Sequence, residues 1–193
     1  AGMEVEAAEN SSASPVAGLL ALASRPDPTG QRAQLTADAL LKHDEVKAAY
    51  NVLNKADAQL QEMPLSQRLN FAGLYLRILA MPGSTSFHRK VSQDITASLN
   101  AFDTQALTTP PTDHEAEVRR RIEDGFMAIQ ADALVRNGWP DDAQHLLSPY
   151  IDANPGAIES RLAMARVYEA KDMPERALAE NLRVLQSTPD NRR

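Results

Sequence analysis

The residue types able to cut bonds or hold metals are sparse in this chain, and their spacing is wrong for either task. It has no cysteine, so disulfides, thiolate nucleophiles and Cys-based zinc sites are excluded together. His114-Glu115 begins like a zinc-protease helix motif, but no second histidine follows at the required spacing. His43, His88 and His145 are far apart in sequence, so no metal site is expected and no cofactor either. Gly83-Ser84-Thr85 lacks the lysine and second glycine of a phosphate loop, and no Gly-x-Ser-x-Gly elbow occurs. Asp141 and Asp142 are neighbours, and neighbours on a helix point apart. Placed after Pro140 in a first turn, they complement the helix dipole rather than flank a glycosidic bond. These absences predict a protein that is not an enzyme.

Charge narrows the partners. The net charge is -6 with 20 scattered basic residues among 193, which leaves no electrostatic footprint for nucleic acid or an anionic membrane. The one basic run, Arg119 to Arg121, is surrounded by Glu115, Glu117, Glu123 and Asp124 and reads as a salt-bridged, solvated helix face. No stretch reaches the length of a membrane span, and the acidic start from Gly2 to Asn10 does not resemble a signal peptide. Arg192 and Arg193 follow shortly on a helical pattern, so an interior piece of a longer protein is expected.

The elements that must position any site are helices throughout, since apolar residues recur with helical period and no strand-like alternation is present. Residues 1–13 read as a disordered or linker start. A short helix is predicted from Ser14, its N-cap, to Ala23, with Pro15 at the first helical position and a turn at Pro26 to Gly30. Helices near Gln31 to Leu41 and Asp44 to Gln61 form an antiparallel pair. In the next pair Ser66 caps a helix carrying Leu69, Phe71, Leu74, Ile78 and Leu79. Its partner presents Phe87, Val91, Ile95, Leu99 and Phe102. Residues 14–102 are thus two degenerate repeat pairs, the first keeping Ala48 as a trace of the pattern. Residues 103–113, rich in Thr and Pro, are a loop or hinge, and 114–193 hold two better-formed units.

In those two units the pattern repeats at 34 residues. Ala131, Leu134, Trp139, Pro140, Ala143, Tyr150, Ile151 and Pro155 recur as Ala165, Tyr168, Met173, Pro174, Ala177, Val184, Leu185 and Pro189. Small Ala131, Ala165, Ala143 and Ala177 set close helix approach, and Leu134 and Tyr168 fill the space between pairs. Pro155 and Pro189 end the second helices, while Asn137-Gly138 and Lys171-Asp172 make tight turns. This is the tetratricopeptide pattern, so the fold class is an all-α, right-handed superhelical solenoid of antiparallel helix pairs. Its first helices line a groove, which places Ala128, Asp132, Val135, Arg136, Glu159, Leu162, Arg166 and Glu169 on the candidate binding face, unless that face is merely the exposed side of a spacer. Of these, Asp132, Arg136, Glu159, Arg166 and Glu169 carry the polar chemistry. Trp139, in a turn, reads as a cap on interhelix packing rather than a sugar platform.

Two segments, Ser14 to Gly30 and Asp132 to Pro189, also resemble the repeat region of the bacterial cellulose synthase operon protein C family. The supporting residues are Pro26-Asp27-Pro28-Thr29-Gly30-Gln31-Arg32, Gln130-Ala131-Asp132-Ala133-Leu134, Leu147-Ser148-Pro149 and Leu162-Ala163-Met164-Ala165-Arg166-Val167-Tyr168, with Ser66-Gln67-Arg68-Leu69 as a helix start. The resemblance implies many such repeats in the periplasm, followed by a β-barrel that passes glucan through the outer membrane, with this chain as an interior block. It implies a scaffold that spaces or links the inner-membrane synthase and the outer-membrane pore. The partners would be other proteins of the cellulose synthase complex or of the envelope, and the nascent glucan or peptidoglycan. The rival readings are a peptide-binding repeat of an assembly or chaperone system and an accessory domain of an enzyme.

Overall fold

A computed structural model describes residues 15–25, 27, 29–57 and 64–187. Residues 1–14, Pro26, Pro28, the end of the helix expected over Asp44 to Gln61, and Pro189 lie outside the described residues. The elements are α1 (Pro15–Ala23), α2 (Gln31–Lys42), α3 (Val46–Asp57), α4 (Leu65–Ala80), a 3-10 turn (Pro82–Phe87), α5 (His88–Ala106), α6 (Asp113–Arg136), α7 (Pro140–Ala153), α8 (Ile158–Ala170) and α9 (Pro174–Ser187), with no strand among the described residues. The protein is all-α and tetratricopeptide-like. It divides into two compact units, residues 1–62 and 63–193.

In the first unit α1 and α2 pack together, as do α2 and α3. Ala37, Leu40, Ala49 and Leu53 are fully enclosed between α2 and α3. Ala49, not the expected Ala48, occupies the close-approach position. The α2–α3 turn ends in a left-handed residue, Asp44 at φ 60°, with the Glu45 N–H donating to the Leu40 carbonyl at 3.0 Å. The α6–α7 turn does the same with Gly138 at φ 82° and Trp139 N–H to Leu134 at 2.9 Å. In the α8–α9 turn it is Asp172 at φ 56° and Met173 N–H to Tyr168 at 2.8 Å. All three are Schellman closures, in which the left-handed residue reverses the chain and satisfies carbonyls the helix end leaves orphaned. The first pair is therefore built like the last two.

In the second unit α4 packs on α5, and α6 packs on α4, α7 and α8, while α8 packs on α7 and α9. First helices stack on first helices along α4, α6 and α8. Ala131, Ala143, Ala163 and Leu147 are fully buried in the core between α6, α7 and α8, with Leu134 and Tyr168 packed against it. Ala165 and Ala177 are also buried, as the 34-residue register predicts. Gly125 brings α6 close to α4, since a methyl group there would lie 3.0 Å from Leu76 Cδ2. Ser66 is not a cap: α4 begins at Leu65, and its N-cap is Pro64. Phe87 precedes α5 rather than lying on its buried face.

The loop expected over 103–113 is shorter, because α5 continues to Ala106 and α6 starts at Asp113. Thr112 closes a capping box with Glu115 that fixes where α6 begins. Arg119 of α6 holds both carboxylate oxygens of Asp103 on α5, at 2.8 and 2.7 Å. With α4 packed on both α5 and α6, both sides of the loop belong to one compact unit. The division of the chain falls at 62/63.

Candidate binding groove

The groove follows from helix stacking: α4, α6 and α8 lie side by side and leave a furrow along their shared face. A cavity of about 620 Å3 lies there, lined by Leu76 of α4, Gly125, Ala128 and Asp132 of α6, and Glu159 and Arg166 of α8. Three of the five expected polar groove residues are thereby brought together. Asp132 and Arg166 meet directly, the guanidinium donating from Nε and a terminal nitrogen to both carboxylate oxygens at 2.8 Å each. They occupy the same register position on successive first helices, 34 residues apart, which is why opposite charges at that offset find each other. A surface pair of this exposure contributes at most about 1 kcal/mol. It also leaves each charge engaged rather than offered to a ligand.

Arg136 sits a turn beyond, exposed, and its charge adds to burial in lowering the pKa of His88 at the start of α5. Glu169 is exposed near the end of α8 and has no ion-pair partner among the described residues. Ala128 is a core residue as well as part of the groove wall, and Val135 packs on the core. Trp139 is 56% exposed, so it does not cap the interhelix packing as expected. The Schellman turn carries its side chain outward. Tyr168 does pack on the core, with Arg176 over its ring at 5.8 Å.

The tertiary polar contacts that order the stack are invisible to motif reading. Asp124 is nearly buried on α6, and its carboxylate accepts from the backbone N–H groups of Glu159 and Ser160 at 2.9 Å each and from the Ser160 hydroxyl at 2.5 Å. Helix α8 has no capping side chain of its own, Ala157 standing at its N-cap. Asp124 therefore caps it from the neighbouring unit, satisfying orphan donors and opposing the helix dipole. Lys171 in the last turn reaches back to Asp141 and Gln144 of α7, at 2.6 Å each. Arg161 joins the Pro155 carbonyl at 3.1 Å to nearly buried Glu180 of α9 at 2.9 Å. Arg120 and Arg121 both pair with Glu117 on the solvated face expected of the basic run. Arg119 departs from it: clasped by Asp103 and Glu123, its pKa is raised by the Asp103 bond first. The sequence signal for the Asp124 contact is register, since Asp124 stands 34 residues before Ile158 at the start of α8.

Among the described residues no cluster of three or more His, Asp or Glu side chains is placed to hold a metal ion, and no helix is long and apolar enough to cross a membrane. No family model matches the chain, and no solved structure matches it. Over 182 residues, 92% of its length, it is 35% identical to "Cellulose synthase 2 operon protein C" of Komagataeibacter xylinus. The chain is homologous to part of a cellulose synthase operon C protein. Proteins named "Cellulose synthase operon protein C" from K. xylinus and K. sucrofermentans are each 26% identical over 168 residues, 87% of the chain. The chain spans 13% of the first of these operon C relatives and 12% of the other two.

Proposed function

We propose that this block is a non-catalytic repeat segment of a cellulose-export protein. In this reading it lies in the periplasm and sets distance and angle between the inner-membrane synthase and the outer-membrane pore, with other proteins of the cellulose synthase complex as its partners. The observation that carries the reading is an unmatched packing face. On α7, Gln144, Ser148 and Ile151 face α8. Their equivalents one repeat on are Leu178, Leu182 and Leu185 of α9, and these are 59%, 48% and 59% exposed. A leucine row at positions covered in the preceding unit is made for a further helix pair of the same kind, as an extended array requires. The length of the operon C relatives supports that array, and their names support a task in making cellulose. Mutual neutralisation of Asp132 and Arg166 weighs against the rival peptide-capturing groove.

The test alters spacing without altering surface chemistry. In the full-length protein, one 34-residue unit of this block is duplicated, or one is removed, and secreted cellulose and co-purifying cellulose synthase proteins are measured. A spacer requires secretion to fall with both changes of length while the Asp132→Ala/Arg166→Ala variant retains it. Secretion and co-purification insensitive to length overturn the reading.

A further inference from the structure

Helix α6 packs on α4, α7 and α8 but hardly on α5. The two are pinned where Arg119 holds Asp103, and away from that contact an open trough of about 640 Å3 lies between them. Its α5 wall is set by arithmetic: His88, Ser92, Thr96 and Asn100 follow at intervals of four, so they form one row along the helix. Gln130 and Asn137 of α6 face that row across the floor made by Ala97, Ala133 and Leu134. No hydrogen bond within the described residues engages the side-chain amides of Gln93, Asn100, Gln130 or Asn137. Each such amide offers donors and an acceptor together. No carboxylate lines the trough, although about a quarter of the chain is charged. Arg89 at the rim is the one permanently charged group lining it, and burial with Arg136 nearby keeps His88 below its ordinary pKa and so mostly neutral.

From this arrangement we infer that the α5–α6 trough is a weak binding site for a neutral, polyhydroxylated polymer, a β-glucan chain. The inference rests on the export reading for its choice of glucan. A hydroxyl both donates and accepts, as the paired amide and hydroxyl rows require, and the C–H faces of a sugar ring suit a floor of Ala and Leu. An anionic polymer would find too little positive charge, and a cationic peptide no carboxylate. Without aromatic platforms the grip stays loose, which lets a chain slide.

The experiment is a titration of the isotope-labelled chain with cellohexaose, followed by amide and side-chain amide shifts, with a neutral hexapeptide of Gly, Ser and Asn as the parallel probe. The expected result is millimolar, sugar-dependent movement at 88–100 and 130–137, with side-chain signals of Asn100 and Gln130 among those moved most. The double variant Asn100→Ala/Gln130→Ala loses about tenfold in affinity, two hydrogen bonds' worth, and retains its helical circular dichroism, since neither side chain belongs to the core. Shifts confined to the Asp132–Arg166 face, movement only with the peptide, or an unchanged affinity in the double variant overturn the trough. The export reading fails separately, through its own length-variation experiment, so the two outcomes are distinguishable.

Discussion

Asp124 shows how much one side chain does when it serves two units. Its carboxylate meets two backbone N–H groups and a hydroxyl of α8 in a nearly dry site. Removing it orphans buried donors and uncaps a helix in one stroke. Asp124→Ala is therefore expected to lower stability by about 2–3 kcal/mol, and Asp124→Asn by less because the amide still offers an acceptor, both read from urea denaturation. Asp132→Ala, which breaks an exposed pair, is expected to cost under about 1 kcal/mol in the same assay. Glu115 gives a pH signature. The Thr112 backbone N–H bond first, and its hydroxyl second, hold the Glu115 pKa below its ordinary 4.5. A depressed folded pKa means stability that is present above 4.5 and lost as pH falls through the lower folded value. In acid titrations of the unfolding midpoint, Glu115→Gln should flatten that decline, while its effect at neutral pH reports the loss of the capping box.

At the scale of helices and turns, the three closures with left-handed residues make a comparative prediction. Gly138 holds φ 82° without penalty, whereas Asp44 and Asp172 adopt φ 60° and 56° with a side chain attached. Asp172→Gly is expected to raise stability by about 0.5–1 kcal/mol and Gly138→Val to lower it by about 1–2 kcal/mol, measured as shifts in melting temperature. The same turns explain which repeats are legible in the sequence. Units α6–α7 and α8–α9 share an uninterrupted 34-residue register, so matching residues reveal them. The α2–α3 pair has the same turn and the same enclosed alanines, but the α4–α5 pair between them closes through a longer 3-10 turn, and the added residues shift the register. Two periods of 34 back from Ala143 consequently fall on Tyr75 of α4 rather than on Ala49. Near Thr108 composition marks a loop, as observed between Ala106 and Asp113, but carries no information about the Arg119–Asp103 bond across it.

For the whole molecule, the division at residue 62 predicts that the segment 63–193 folds without the first unit. Expressed alone, it should keep the circular dichroism per residue of the full chain and melt cooperatively. Loss of cooperativity would show that the first unit contributes to its fold. The leucine row on α9 should also drive concentration-dependent association. The triple variant Leu178→Gln/Leu182→Gln/Leu185→Gln is expected to abolish it in sedimentation experiments without lowering helix content, since these side chains are exposed.

Helix type, the repeat length and the close-packing alanines are determined by the sequence alone, because each is a local property: hydrophobic period, turn chemistry and side-chain size act within about one repeat. The groove followed from them, and its residues Asp132, Glu159 and Arg166 do line one cavity. Only the tertiary structure decided that Asp132 and Arg166 neutralise each other, that Asp124 caps a helix 34 residues on, and that α5 stands away from α6 to open a trough. Those outcomes depend on the angle and distance at which packed helices meet. These are set by the summed shape of many side chains, such as Gly125 against Leu76, rather than by any pattern along the chain.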